Sequence, residues 1–185
     1  MKISDEHKKI LLSIARKTIQ NSFEEVTMPK FEKDDELLNS KSGAFVTLTL
    51  FGELRGCIGF ITTHEPLYET VSSAAYLAAN EDPRFPPVTK KEFENVSIEI
   101  SVLSEPFKLN SYEEITVGKH GLILKEGSKR GLLLPQVPIE HNLSKEEFLE
   151  ALCNKAKLPK NLWKKKFLNL EAFTATVFSE EEFGE

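Results

Sequence analysis

Apolar and polar residues alternate along several short stretches of the chain. The two clearest are Ala44–Leu50 and Val96–Val102, in which every second residue is aliphatic. A period of two is typical of a strand with one buried face. Phe51-Gly52-Glu53 can close a hairpin after the first stretch, so a returning strand is expected over residues 54–61. Further strands are predicted at Leu122–Lys125, Leu132–Leu134 and Phe173–Val177.

Other stretches have the spacing of amphipathic helices. One opens at Ser4, a second at Pro66 with an alanine-rich sequence, and a third at Ser144, which forms a capping box with Glu147. The charged stretch Val26–Ser42 is expected to be weakly structured. Hairpins and alternation dominate, so the predicted class is α+β, mostly antiparallel β-sheet with flanking helices.

The run LRGCIG, beginning at Leu54, combines a thiol, a guanidinium and two glycines. On a regular strand, Arg55 and Cys57 share one face, and Leu54 and Ile58 lie on the opposite, packed face. Same-face neighbours are about 6.6 Å apart, so the guanidinium can reach the sulfur and favour the nucleophilic thiolate. Glycine lets a ligand or another backbone approach closely. The two candidate ligand-binding glycines are Gly56 and Gly59.

A second cluster of candidate residues is the stiff segment Asp82–Pro87, with the sequence DPRFPP. Its prolines restrict the backbone and aim the side chains of Arg84 and Phe85. In one interpretation Arg84 presents its guanidinium to an anionic group such as a carboxylate or phosphate. In the other, Arg84 pairs with Asp82, and Phe85 closes the end of the preceding helix. Both interpretations stay open at this stage.

Two further polar residues are candidates. His120 lies on a glycine-flanked turn, where it can act as a general base or simply cap the turn. Glu99 belongs to a polar row on the strand Val96–Val102, which either faces solvent or lines a cleft. In a cleft, Glu99 could orient His120 or pair with Arg55.

The two cysteines are too few for a disulfide framework. Cys153 falls on the apolar stripe of the helix that opens at Ser144, which predicts a core residue. From the pattern alone, Cys57 is slightly better explained as a buried strand residue than as a nucleophile.

Composition limits the classes of function. The net charge of −5 does not support a dedicated nucleic-acid binder, and the run Lys164–Lys166 is interpreted as a solvated surface. No apolar run reaches the ~20 residues of a membrane span, and residues 1–7 lack a signal-peptide core, so the expected location is cytoplasmic. Phosphate-loop, dinucleotide and serine-hydrolase motifs are absent, and the histidines are scattered. We therefore assign no metal and no cofactor.

Four motifs together resemble the AMMECR1 family in order and spacing. They are LRGCIG, Asp82–Pro87, Gly118–Gly121 and Leu133–Val137. The resemblance implies a single AMMECR1-type domain over residues 1–185, with two unequal α/β lobes. The larger lobe would hold both termini, with LRGCIG near the lobe boundary; the sequence shows no boundary itself. Prokaryotic members are similar to protein A of a set that includes a radical SAM protein and a Memo-like protein.

The resemblance favours a functional Cys57 without implying a reaction, and two classes of function remain. In one, a small enzyme uses Cys57 as nucleophile, Arg55 and Arg84 to hold an anionic substrate, and His120 or Glu99 to move a proton. Cys57, Arg84 and His120 would then share one concave surface. In the other, a non-catalytic module binds a small molecule or a protein partner. Its partners would be the radical SAM and Memo-like proteins, or transcription, repair, translation or RNA-modification machinery.

Overall fold

The computed structural model describes residues 3–24 and 35–184, which divide into two compact units. The first unit contains the described residues up to Leu103 and from Thr176 onward, and the second is Ser104–Ala175. Each unit has its own four-stranded sheet and its own hydrophobic core, and the predicted α+β class is confirmed. Of the stretch Val26–Ser42, which is expected to be weakly structured, residues 26–34 lie outside the described residues.

The first unit packs helices against one sheet. Its helices are α1 (Asp5–Ser22), α2 (Leu67–Asn80) and α3 (Lys90–Phe93), followed late in the chain by a 3-10 turn at Glu180–Phe183. Its strands are β1 (Ala44–Leu50), β2 (Glu53–Phe60), β3 (Val96–Leu103) and β8 (Ala175–Ser179, all but its first residue in this unit), in the order β2-β1-β3-β8. β1 is antiparallel to both β2 and β3. Its alternate residues Ala44, Val46 and Leu48 are fully buried, as the period of two predicts.

The second unit is built in the same way around a smaller core. Its strands are β4 (Phe107–Lys108), β5 (Gly121–Glu126), β6 (Lys129–Leu133) and β7 (Leu170–Phe173), in the order β4-β7-β5-β6. Its helices are α4 (Val137–Glu140) and α5 (Lys145–Lys155), with 3-10 turns at Tyr112–Glu114 and Leu162–Lys164. The predicted capping box of α5 is confirmed, because Ser144 and Glu147 each accept the other's backbone N–H.

The predicted hairpin between β1 and β2 is also confirmed. Phe51 and Gly52 both adopt left-handed backbone conformations, with φ of 53° and 83°. Two consecutive left-handed residues are the signature of a tight turn whose twist matches that of the flanking strands.

The single strand predicted over Phe173–Val177 is wrong. β7 ends at Phe173 and β8 begins at Ala175, and the two strands belong to different sheets. Thr174, between them, pairs with Ser104: its N–H donates to Ser104 Oγ (2.9 Å), and its carbonyl accepts the Ser104 N–H (2.8 Å). Alternation of side chains carries no information about which partner strand the backbone bonds, so the pattern alone could not place this break.

One buried ion pair joins the beginning and the end of the first unit. Glu180 is 4 % exposed, and its carboxylate accepts the N–H of Ile98 (2.9 Å) and Nε of Arg16 (2.6 Å). The guanidinium of Arg16 also donates to the carbonyl of Val96 (2.6 Å) and stacks 4.8 Å from the ring centroid of Phe93. A buried carboxylate is tolerated because its charge and hydrogen-bonding oxygens are all matched.

Replacing Arg16 with Ala should lower the free energy of unfolding by about 3 kcal/mol, because it leaves the carboxylate of Glu180 buried without its cation. Urea unfolding followed by circular dichroism measures the change. Lys17→Ala, at the next and exposed position, is the control and should change stability by less than about 0.5 kcal/mol. Equal losses for the two variants would mean that the pair does not stabilise the fold.

Candidate functional site

A β-bulge at Arg55 changes which side chains of β2 share a face. Leu48 lies opposite Gly56, but the next residue of β1, Thr49, lies opposite Leu54, so Arg55 is the extra residue. Cys57 lies opposite Thr47, two residues from Thr49. Cross-strand partners share a face, so Leu54 and Cys57 are on the same side of the sheet. The expectation of a packed Leu54 is therefore wrong, and its side chain is 43 % exposed.

The main chain of Cys57 is held by the DPRFPP segment. The N–H of Cys57 donates to Asp82 Oδ2 (2.9 Å), and its carbonyl accepts Nη2 of Arg84 (3.2 Å). Arg84 in turn donates from Nε and Nη2 to the two carboxylate oxygens of Asp82, at 3.0 and 2.7 Å. Arg84 therefore lies beside the main chain of Cys57, and the Asp82–Arg84 pair of the second interpretation is formed. The shared concave surface of Cys57, Arg84 and His120 stays a prediction.

The pair is asymmetric in exposure. The side chain of Asp82 is 2 % exposed and that of Arg84 is 52 % exposed. Hydrogen bonds from Arg84, followed by those from the backbone N–H groups of Cys57 and Arg84, hold the pKa of Asp82 well below its usual range. The carboxylate raises the pKa of Arg84, and Cys57 contributes in the same direction. Asp82, the buried member of this pair, is fixed, and Arg84 reaches solvent next to Cys57.

The thiol of Cys57 lies in a row of polar side chains that crosses three strands. Thr47 of β1 donates its hydroxyl to the sulfur, with an Oγ1–Sγ distance of 3.3 Å. Glu99 of β3 lies opposite Thr47 in register, so the row reads Cys57, Thr47, Glu99. All three residues are half-buried. The strand register thus places Glu99 on the same face as Cys57 with Thr47 between them, about 10 Å away because each strand spacing is about 4.8 Å. A cleft that uses Glu99 stays a prediction.

Arg55 does not take part in this row. The expected contact with the sulfur of Cys57 is not among its hydrogen bonds, because Nε and Nη2 of its guanidinium donate to other groups. It donates to both oxygens of Glu92 (3.1 and 3.3 Å) and to the carbonyl of Pro87 (3.2 Å). Its carboxylate partner is therefore Glu92 rather than Glu99. The bulge accounts for the difference, because an extra residue redirects the side chain it carries.

The guanidinium groups of Arg55 and Arg84 both approach the ring of Phe85. The distances from the Cζ atoms to the ring centroid are 5.9 and 5.5 Å, within the range of cation–π contacts. Hydrogen bonds from Arg55 and then from Thr89 lower the pKa of Glu92 to about 2. Arg55 and Arg84, each paired with a carboxylate, and the ring of Phe85 together hold the DPRFPP segment against β2.

The two glycines of LRGCIG are close to other parts of the same chain. A Cβ on Gly56 would lie 2.2 Å from the carbonyl oxygen of Ala78, so the glycine lets α2 approach β2 closely. A Cβ on Gly59 would lie 2.4 Å from the ring of Phe45. These contacts explain both glycines through packing, and their proposed contact with a ligand stays a prediction.

His120 belongs to the second unit, where it stabilises a turn. Its Nδ1 accepts the N–H of Thr116 (3.2 Å), and its ring meets Phe107 edge-on at 5.5 Å. Burial, together with the charge of Lys119, lowers the pKa of His120. A neutral ring with Nδ1 already accepting a hydrogen bond fits a turn-capping role. A catalytic role for His120, and its place beside Cys57, stay predictions.

The second cysteine is a core residue, as predicted. Cys153 is fully buried among residues of the second unit's core, and burial raises the pKa of its thiol.

Sequence reasoning missed two contributors to the site. Thr47 looked like any polar residue of an alternating strand, and only the register shows that its hydroxyl reaches the sulfur. Glu92 had a local signal, since Thr89 and Glu92 have the spacing of a capping box, which the structure forms. That signal marks the start of α3 but does not identify Arg55 as a partner.

The described ranges contain neither a cluster of metal ligands nor a membrane-spanning helix. Across residues 3–24 and 35–184, no three His, Cys, Asp or Glu side chains are grouped so that they could hold a metal ion. None of the helices in these ranges has the length and apolar character needed to span a bilayer.

Replacing Asp82 with Asn should lower the free energy of unfolding at pH 7 by about 2 kcal/mol, because Arg84 and the Cys57 N–H lose a charged partner. The pKa values of Asp82 and Glu92 are lowered by folding, so their contribution is complete above about pH 4.5. It is lost as pH falls toward 2. Urea unfolding at several pH values should therefore show a shallower decline for Asp82→Asn than for the wild type.

Glu81→Gln, at the neighbouring exposed position, is the control for this experiment and should change the stability at pH 7 by less than about 0.5 kcal/mol. An Asp82→Asn profile parallel to that of the wild type would rule out a stabilising role for the pair.

The chain is similar to known proteins over most of its length. A model of the AMMECR1 family matches residues 12–178. A protein of Nanoarchaeum equitans is 42 % identical over 178 residues, covering 92 % of this chain and 99 % of that protein. A protein of Methanopyrus kandleri is 41 % identical over 190 residues, covering 98 % and 92 %.

A solved structure gives the same result in three dimensions. The crystal structure of an uncharacterized protein from Pyrococcus horikoshii matches with a TM-score of 0.88 and 40 % identity, covering 98 % of this chain and 95 % of that one. By sequence and by fold, the chain belongs to the AMMECR1 family.

Proposed function

We propose that this protein is a small enzyme in which the sulfur of Cys57 is the nucleophile and Arg84 contacts an anionic group of the substrate. The observation that supports this most directly is the fixed position of a half-exposed thiol between a hydroxyl donor and a solvent-facing guanidinium. The Thr47 hydroxyl is 3.3 Å from the sulfur, and Arg84 is bonded to the carbonyl of the same cysteine. Positioned nucleophiles of this kind form covalent intermediates.

Each neighbour of Cys57 has a separate part in the proposal. The Thr47 hydroxyl donates to the sulfur and holds it in place. Arg84 is held by Asp82 on one edge, which leaves the rest of its half-exposed guanidinium for a carboxylate or phosphate. Glu99, opposite Thr47, is the carboxylate of the row and the candidate proton acceptor. Arg55 is a positioning residue, because its ion pair with Glu92 holds the DPRFPP segment in place.

A second candidate function is a non-catalytic binding module. The observation that favours it is that both arginines already pair with carboxylates, Arg55 with Glu92 and Arg84 with Asp82. Each pair has little net charge to attract a substrate. In this alternative the same surface binds a small molecule or a protein partner such as a radical SAM or Memo-like protein. Transcription, repair, translation or RNA-modification proteins are the other partners that this alternative includes.

Cys57 should be alkylated by iodoacetamide faster than Cys153, because Cys57 is half-buried and Cys153 is fully buried. Thr47→Val removes the hydroxyl while keeping the shape of the side chain, and should slow alkylation of Cys57 about fivefold at pH 7. The rate of modification against pH, with peptide mapping to assign each site, measures both effects.

Thr49→Val is the matched control for this experiment. It changes the same residue type on the same strand and face, but Thr49 lies opposite Leu54 instead of Cys57. Equal, slow modification of both cysteines, or the same rate for the Thr47 and Thr49 variants, would contradict the proposed nucleophile.

A second experiment distinguishes turnover from binding. The purified protein is incubated with a cell-extract metabolite fraction and then analysed by intact-mass and native mass spectrometry. A covalent adduct that maps to the Cys57 peptide, and is lost in Cys57→Ala, is the outcome expected for the enzyme. A metabolite retained without a covalent bond, equally by Cys57→Ala, is expected for the binding module.

A further inference from the structure

Charged residues are distributed unevenly between the two units of the chain. The segment Ser104–Ala175 carries 12 lysines and arginines against 9 acidic residues, a formal charge of +3. The rest of the chain carries 12 against 20, a charge of −8. A charge of −5 for the whole chain therefore does not describe the second unit, which has an excess of positive charge.

The excess is concentrated in one segment, Lys155–Phe167. It contains six lysines and no acidic residue. The lysines are Lys155, Lys157, Lys160, Lys164, Lys165 and Lys166. All six are exposed. Lys164 and Lys166 pair with Glu150 and Glu126, whereas Lys160 and Lys165 have no carboxylate within ion-pair distance among the described residues.

Aromatic residues hold this segment in a defined shape. The hydroxyl of Tyr112 accepts the N–H of Leu168 (3.1 Å) and lies 3.3 and 3.2 Å from the carbonyls of Trp163 and Lys166. The ring of Tyr112 meets that of Trp163 edge-on at 5.8 Å and lies 4.8 Å from that of Phe167. The lysines are therefore carried on a backbone that is already ordered before any partner binds.

Phe167 adds an exposed aromatic surface to the lysines. Its side chain is 44 % exposed although it packs against Tyr112 on one side. Lys164 places its ammonium 5.1 Å above the ring of Trp163, next to this surface. Positive charge interleaved with an accessible aromatic ring is the combination with which proteins bind single strands, since phosphates meet the cations and an unpaired base stacks on the ring.

We propose that the Lys155–Phe167 surface binds single-stranded nucleic acid without sequence preference. Phosphates contact the lysines, and one unpaired base stacks on Phe167. An anionic bilayer would attract the same lysines, but an interfacial site needs an apolar face to insert. Phe167 is the one exposed large apolar side chain within the described residues 155–167, which favours a stacked base over a lipid interface.

The test uses the full chain and a fluorescein-labelled 12-nucleotide oligouridine RNA, with binding followed by fluorescence anisotropy between 50 and 200 mM salt. We expect binding that weakens steeply with salt. Each lysine that neutralises a phosphate contributes about 0.7 to the slope of log affinity against log salt. Lys160→Gln/Lys165→Gln should therefore reduce that slope by about 1.4.

The control for this charge change is Lys90→Gln/Lys91→Gln, which removes the same charge from exposed positions of the first unit and should leave binding unchanged. Phe167→Ala should weaken binding about fivefold to a hundredfold, and Phe51→Ala, at a side chain 83 % exposed on the β1–β2 turn, should not. Because Phe167 also packs on Tyr112, a thermal melt of Phe167→Ala accompanies this measurement. If Phe167→Ala unfolds, the salt dependence of Lys160→Gln/Lys165→Gln tests the proposal by itself.

Three results would overturn the proposal. They are no RNA binding at 50 mM salt, equal loss of affinity in the two lysine variants, and binding to phosphatidylserine vesicles without binding to RNA. None of these measurements involves Cys57, so they are independent of the thiol chemistry proposed for the first unit.

Discussion

The buried carboxylate of Asp82 is the constraint on which the candidate site depends. A carboxylate that is 2 % exposed is stable only when its charge and its lone pairs are matched. Asp82 meets this requirement with the guanidinium of Arg84 and the backbone N–H groups of Cys57 and Arg84. One side chain thus determines where the cysteine lies and which way the arginine points.

The same carboxylate explains how two separate motifs become one structural feature. LRGCIG lies on β2 and DPRFPP follows α2, yet Asp82 and Arg84 bind the N–H and the carbonyl of Cys57. A second link, from Arg55 to Glu92 and the carbonyl of Pro87, fixes the later part of the segment. Four hydrogen-bonded groups hold a proline-stiffened segment against a strand and fix the main chain of Cys57.

Much of the secondary structure could be predicted because it follows from local pattern. The alternation over Ala44–Leu50 predicted β1 with the bounds that the structure has. Phe51 and Gly52 predicted the turn, and Ser144 with Glu147 predicted the start of α5. The candidate site was predicted in part. The Asp82–Arg84 pair is local in sequence, and the proximity of Arg84 to Cys57 followed from the matching family motifs.

The sequence alone determined the three longer helices, most of the strands, the α+β class, the buried position of Cys153 and the family, because these depend on periodicity, capping and motifs along the chain. Tertiary structure decided the rest. The bulge at Arg55 depends on how β1 and β2 pair, and it moved Leu54 to the face of Cys57. The partner of Arg55, the hydroxyl beside Cys57 and the change of sheet at Thr174 depend on residues distant in sequence. Such contacts are set by strand register and packing, which a one-dimensional pattern of side chains does not contain.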